Sequence, residues 1–319
     1  MKPLKTLLPC LLALIVLQTS ASALTIEDAR AEYSAGRYDN AFSMAQQLAA
    51  NPDELAARHM MAGLKLTGKG TPKDVPGALD IWKALAAKDY ERANATLGAL
   101  YLAGGDIEQD LDLAKTYLEA AVRQKNPEAT YNLGFMYQHE LGVKFSEQKF
   151  LDLYNLAAAV GYAKALLQLG LLNERNILAD ASMQKACDFY ARAGEVGLAQ
   201  GAFQAGKCFA TGNGKAKDLK AAFRWYEIAA LANDSMAQAN LGYMYEKGYG
   251  VSADMAKAYK WYRLSADKIP SAAQRAANLT ESGKLDPDLT TEQQKKQWQD
   301  ELAKNIELGR QRDGILFKQ

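Results

Sequence analysis

Two tetrads in the chain have the form of an activated nucleophile. Ser146-Glu-Gln-Lys149 and Ser182-Met-Gln-Lys185 each place a serine one helical turn before a lysine. In that arrangement a lysine amine can take the serine proton, as acyl-enzyme chemistry requires. The motifs that complete such a site, S-D-N and K-T-G, occur nowhere in the chain. A third segment, Gly63-Leu-Lys-Leu-Thr-Gly68-Lys69-Gly70, comes close to a phosphate-binding loop. It has Gly70 where Ser or Thr must ligate the metal, and a helical pattern precedes it where a strand is required. His59 and His139 lie 80 positions apart with no second ligand spaced to either, which argues against a metal site. No pair of carboxylates stands out as an acid–base couple.

Composition narrows the function further. The 319 residues carry 38 Lys plus Arg against 37 Asp plus Glu, a formal charge of +1. No basic excess is present to grip a nucleic-acid backbone. Hydrophobic residues make up 49%, enough for a core and against wholesale disorder. Residues 1–23 read as an export signal: Lys2 and Lys5, an uncharged run from Leu7 to Leu17, and the small-x-small end Ala21-Ser22-Ala23. The run is too short to span a bilayer. It also follows Cys10, whereas a lipoprotein signal would place it before the cysteine.

The elements that must position these residues come from a 36-residue period. One column reads Asp74, Asp110, Ser146, Ser182, Asp218, Asp254, every step 36. A second reads Ile81, Tyr117, Leu153, Phe189, Trp225, Trp261, and a glycine column reads Gly98, Gly134, Gly170, Gly206, Gly242, with Gly63 set 35 earlier. Each repeat predicts two helices. Ala237, Leu241 and Tyr245 mark one face of a first helix, Gly248-Tyr249-Gly250 breaks it, and Asp254 opens a second with Ala258, Trp261, Tyr262 and Ser265 on one face. The Asp/Ser column predicts N-caps, which makes Ser146 and Ser182 structural. The glycine column predicts close approach of two helix backbones. A helix pair of this kind cannot bury its apolar stripe alone, so neighbours must stack. The expected fold is all-α, a right-handed α/α superhelical solenoid of stacked helix pairs.

The ends depart from the pattern, as capping repeats do. Residues 24–52 form a degenerate first pair, 53–282 the repeats, and 283–319 a linker with a C-terminal capping helix and an apolar tail. In that helix Thr290 or Thr291 is the expected cap, and Trp298, Leu302 and Ile306 recur every four residues. The tail Ile315-Leu316-Phe317 can fold back on the cap or stay free for a partner.

Cys187 and Cys208 have their midpoint at the Gly197-Leu198 turn, which sets them at equal height in an antiparallel helix pair. A disulfide is geometrically admissible there. The register of Cys208 is otherwise apolar (Leu100, Met136, Leu172, Met244), so two buried thiols are the competing reading.

Residues 237–266 resemble the Sel-1-like repeat, a relative of the tetratricopeptide repeat. The matching residues are Ala237, Leu241-Gly242, Tyr245, Gly248, Gly250-Val251, Asp254, Lys257-Ala258, Trp261-Tyr262 and Ala266. Residues 201–230 match through Gly206, Gly212, Gly214, Asp218, Ala222, Trp225-Tyr226 and Ala229-Ala230. The repeat around Gly170 departs most: Asn173 replaces the tyrosine, and Asn176 and Leu178 replace the loop glycines, so its loop is expected to take a different shape. Residues 24–52 look more like a plain tetratricopeptide pair. The resemblance implies a scaffold for protein–protein contacts without chemistry of its own. Exported bacterial members serve sensor regulation, polysaccharide or cell-wall assemblies, motors and host contacts, and the fold does not choose among these.

In stacked helix pairs the first helices line the concave face. Positions three before and one after each landmark glycine then point at a partner: Tyr131, Phe135, Phe203, Lys207 and Tyr243, with Met60 and Leu64 earlier. Aromatic anchors beside a lysine suit peptide recognition. The same rings could instead pack between neighbouring first helices. Trp82, Trp225 and Trp261 belong to the second-helix core stripe. The expectation is a non-enzymatic, periplasmic or secreted adaptor without cofactor or metal. It would bind a protein partner in the bacterial envelope and serve a sensor or an envelope assembly. The alternatives are a cell-wall or glycan-binding protein using the same rings, and a penicillin-recognising serine hydrolase using Ser146 or Ser182.

Overall fold

The computed structural model of the chain describes residues 24–283, 285 and 291–312, with side chains of the last helix placed to Lys304. The expected signal segment 1–23, Thr290, the Ile306 side chain and the Ile315–Phe317 tail lie outside the described residues. Sixteen helices and no strand occur among the described residues. The helices fall into two compact units, which divide between Leu85 and Ala86.

The first unit holds α1 (Ile26–Ser34), α2 (Tyr38–Ala49), α3 (Leu55–Thr67) and α4 (Val75–Ala86). The pair at 24–52 therefore groups with the first full repeat. Thr25 and Asp28 form a reciprocal capping box at the start of α1. Gly68, in the left-handed region at φ 67°, ends α3. The near-match to a phosphate loop is thus a helix C-terminus. Its Lys69 lies over the rings of Tyr38 and Tyr33, at 4.7 and 5.3 Å from their centroids.

The second unit stacks five pairs: α5 (Glu91–Ala103) with α6 (Leu111–Arg123), α7 (Pro127–Gln138) with α8 (Glu147–Ala159), α9 (Ala163–Glu174) with α10 (Met183–Glu195), α11 (Ala199–Thr211) with α12 (Leu219–Leu231), and α13 (Ser235–Lys247) with α14 (Met255–Ser265). Helix α15 (Pro270–Glu281) follows as a last first-helix, and α16 (Glu292–Arg312) caps the end. From α5 to α15 each helix packs on the next, and α5 also meets α7, its counterpart one pair on. Thr291 caps α16 by accepting from the Gln294 N–H. The stripe Trp298 and Leu302 is buried, α16 contacts α14, and Trp298 meets Tyr259 edge-on at 6.2 Å.

Two devices make the repeat. The first is the cap: Asp74, Asp110, Ser146, Ser182, Asp218 and Asp254 each accept from a backbone N–H in the first turn of their second helix. Such a cap contributes about 1 kcal/mol. The second is the glycine column, and here the structure corrects the expected backbone-to-backbone approach. What comes close is a side chain, twenty positions on. A Cβ at Gly134, Gly170, Gly206 or Gly242 would stand 2.9, 2.4, 2.6 and 2.5 Å from the rings of Tyr154, Tyr190, Tyr226 and Tyr262. Each ring lies across its own first helix and is buried, a gain of about 2 kcal/mol per ring. Glycine is required because any Cβ would occupy the ring's space.

Candidate protein-binding face

The tetrads do not assemble a nucleophile. Ser146 and Ser182 Oγ accept from the N–H of Lys149 and Lys185, at 3.4 and 3.2 Å. The lysine ammonium groups point elsewhere: Lys149 to the Tyr137 hydroxyl at 3.4 Å, Lys185 to the Asp180 carbonyl at 3.0 Å and to its carboxylate. His59 Nδ1 accepts from Trp82 Nε1 at 3.1 Å, so its lone pair is committed to the core. His139 is exposed, with its ring 4.2 Å from that of Phe135. No cluster of three or more metal-ligating side chains occurs among the described residues. Cys187 and Cys208 are joined by a disulfide, with Cα atoms 6.1 Å apart, tying α10 to α11.

The face offered by the first helices is polar and aromatic by turns. Tyr131 is half-buried, stacked on Tyr154 at 5.4 Å and tilted against Tyr162 at 5.6 Å. Phe203 packs on Tyr226 at 5.8 Å. These two rings spend most of their surface inside the stack. Phe135 is half-buried, whereas Lys207 and Tyr243 are exposed, Tyr243 at 36%.

A chain of polar groups recurs along this face, four positions after the landmark glycine. Tyr154 donates its hydroxyl to Gln138 at 2.6 Å, Tyr190 to Glu174, and Tyr262 to Glu246 at 2.8 Å. The same acceptor is then met by a group from the next first helix: Gln168 at 3.2 Å, Lys207 at 3.3 Å, and Arg275 at 3.0 Å. Burial, followed by the carboxylate each one faces, pushes the Tyr190 and Tyr262 phenols well above the usual range. Burial alone would also raise both glutamates. The Tyr190 hydroxyl and Lys207 outweigh it at Glu174, and Lys247, Tyr262 and Arg275 outweigh it at Glu246, so both carboxyls titrate below their ordinary value. The fourth pair has Ala210 at this position. There burial raises Tyr226 to about 12, with the Asn240 side chain pulling the other way.

This column was missed by aromatic-centred reading, although Gln138, Glu174 and Glu246 keep the same 36-residue register. At its end the groups converge. The Arg275 guanidinium lies 4.8 Å from the Tyr243 ring centroid, and Lys247 is 2.6 Å from Glu246. Two cations thus share one carboxylate. A recess of about 190 Å³ opens here, lined by Asn240, Tyr243, Tyr262, Ser271 and Arg275 among others. Of the five residues expected to meet a partner, only Tyr243 borders it.

The repeat geometry has a family counterpart. The Sel1 repeat model matches residues 55–90, 92–126, 127–162, 199–234 and 235–268, more than half of the chain. The chain belongs to the Sel1 repeat family. The matches skip 163–198, the pair around Gly170. A protective antigen of uropathogenic Escherichia coli with an SLR fold superposes with a TM-score of 0.64 at 23% identity, over 88% of this chain and 56% of that one. This chain therefore spans little more than half of that antigen's length. A Sel1 repeat protein from Oxalobacter formigenes also superposes with a TM-score of 0.64, at 26% identity, over 77% of this chain and 100% of that one. No curated protein matches the sequence. Sel1 repeat proteins are in general scaffolds for protein interaction, typically without catalysis, and no enzymatic family is indicated.

Proposed function

We propose that this Sel1 repeat protein is an exported, non-enzymatic adaptor of the bacterial envelope. It holds a segment of a protein partner on its first-helix face. The observation that carries the reading is the recess between α13 and α15. Tyr243 offers an exposed ring, Arg275 lies against that ring, and Lys247 and Arg275 together exceed the charge of Glu246. An acidic side chain of the partner fits this surplus, and the rigid ring beside it supplies apolar contact. The N-terminal pattern of residues 1–23 and the Cys187–Cys208 bridge support export, because disulfides persist in oxidising compartments.

The test is crosslinking in cells from a photoreactive residue at Tyr243, with the same residue at exposed Ile228 on α12 as control. One dominant protein adduct from Tyr243, absent from Ile228 and reduced by Arg275→Ala, is the expected result. Equal labelling from both positions, or no protein adduct, would sink the adaptor reading.

A further inference from the structure

The polar chain along the first-helix face has one gap, at Ala210 in α11. The other pairs of the second unit follow a rule. Where the second helix brings a tyrosine hydroxyl, the first helix supplies an acceptor: Gln138 for Tyr154, Glu174 for Tyr190, Glu246 for Tyr262. Where it brings no hydroxyl, no acceptor stands: Leu118 is matched by Leu102. The α11–α12 pair breaks the rule. Tyr226 keeps its hydroxyl, and Ala210 has nothing to accept it. The Tyr226 ring lies across Gly206 and is 5% exposed. Its hydroxyl donates to no group among the described residues.

A buried phenol left without an acceptor forfeits hydration that nothing offsets. Asn240, one first helix on, stands beside Tyr226 as a second donor, since its side chain favours the ionised phenol, as a donated hydrogen bond does. Asn240 also lines the recess of about 190 Å³ that holds Tyr243 and Arg275. It thus joins the gap to the place assigned above to the partner's acidic side chain. We propose that the partner's main chain closes this gap, one of its peptide carbonyls accepting from the Tyr226 hydroxyl and the Asn240 amide. The inference rests on the adaptor reading and adds the form of the bound segment.

Charge selects a carbonyl. In the complete pairs the acceptor matches the donor from the next first helix. Glu174 meets Lys207 and Glu246 meets Arg275, whereas neutral Gln138 meets neutral Gln168. At Tyr226 the second donor is neutral Asn240, and Lys207, one turn before Ala210, is paired with Glu174. A carboxylate there would be desolvated without a cation, whereas a neutral carbonyl loses far less. Spacing selects the main chain. Packed helices lie about 8–10 Å apart, and a polyproline II segment, whose backbone groups are unpaired, advances about 9 Å in three residues. One carbonyl then reaches Tyr226 while an acidic side chain about three residues away reaches Arg275.

The probe is the capped peptide Ac-Gly-Gly-Gly-Glu-Gly-Gly-Gly-NH2, with Ac-Glu-NH2 as an acid that lacks the flanking chain. Binding is followed by NMR of the Tyr226 ring and the Asn240 side-chain amide. Saturable shifts at both are expected with the long peptide. Tyr226→Phe and Ala210→Gln should each weaken its binding several-fold and leave that of Ac-Glu-NH2 unchanged; Arg275→Ala should weaken both. Ala210→Gln should also raise Tm by about 1 to 2 degrees, because the introduced carboxamide takes the Tyr226 hydroxyl as Gln138 takes that of Tyr154. Equal binding of the long peptide by the parent, Tyr226→Phe and Ala210→Gln, no shift at Tyr226, or a lower Tm in Ala210→Gln would overturn the proposal. With the Tyr243 adduct still formed in cells, any of these results removes the main-chain contact alone and leaves the adaptor reading intact.

Discussion

The pairs at 163–198 and 235–268 are built on one plan and close in two different ways. Both keep the glycine that seats a second-helix tyrosine, Gly170 with Tyr190 and Gly242 with Tyr262. Both keep an N-cap, Ser182 and Asp254, and both tie the tyrosine hydroxyl to a glutamate that the next first helix meets with a cation. Only the loop side differs. The regular pair inserts Tyr245 and presses Gly250 onto Leu219; the irregular pair has Asn173 and Leu178. The groups that hold two helices together are therefore separable from those that seal the pair to its predecessor. Losing the seal costs the family signature and leaves the helix pair in place. Beside it lies a recess of about 510 Å³ bordered by α8, α9 and α10.

The strongest way to break this comparison is to disturb the seal where it exists. Gly250→Ala would put a Cβ 2.1 Å from the Leu219 carbonyl at φ 71°. The overlap and the unfavourable backbone together should cost about 3 to 4 kcal/mol, read as a shift of the urea midpoint. Leu178→Gly, at the equivalent position, should cost about 1 to 2 kcal/mol, from the half-buried side chain lost against the Leu169 cluster and not from a backbone clash. Equal losses would show that the irregular loop is sealed after all.

The disulfide sharpens the same contrast. Cys187 and Cys208 are 21 residues apart and staple the irregular pair to α11. Closing a loop of that length contributes about 3 kcal/mol. Replacing both by serine should lower hydrogen-exchange protection in α10 and α11 while that of α13 and α14 falls less. A uniform loss across all four helices would mean that the stack unfolds as one cooperative body.

Most of the architecture was legible because a repeat states each rule several times. Six caps in one column and a 36-residue glycine register leave few alternatives to stacked helix pairs, and the two cysteines could be placed at one height from the turn between them. Two things were less legible. The glycine column reads as backbone contact until the ring twenty positions on is seen lying across it. The polar chain through Gln138, Glu174 and Glu246 was hidden because its partners sit in the next repeat, at separations that no local pattern records. Tyr131 and Phe203 carry the right residue type for a binding face, yet neighbouring rings use their surface; exposure depends on the adjacent pair, which sequence position alone does not encode.

The smallest effect separates what the two pairs share from what they do not. Glu174 and Glu246 both titrate below their ordinary value of 4.5. A carboxyl depressed in the folded state adds stability that is complete above its unfolded value and is lost as pH falls through the folded one. Stability should thus decline below about pH 4.5 through both pairs alike, each by less than about 1 kcal/mol, as for other partly exposed ion pairs. Glutamine is the substitution to use, because Gln138 already takes the Tyr154 hydroxyl at 2.6 Å without titrating. Glu174→Gln with Glu246→Gln should fold and show a flatter acid limb in urea midpoints measured from pH 5 downward. If only Glu246→Gln flattens it, the irregular pair has lost more than its loop seal, and the separation between helix pairing and sealing fails.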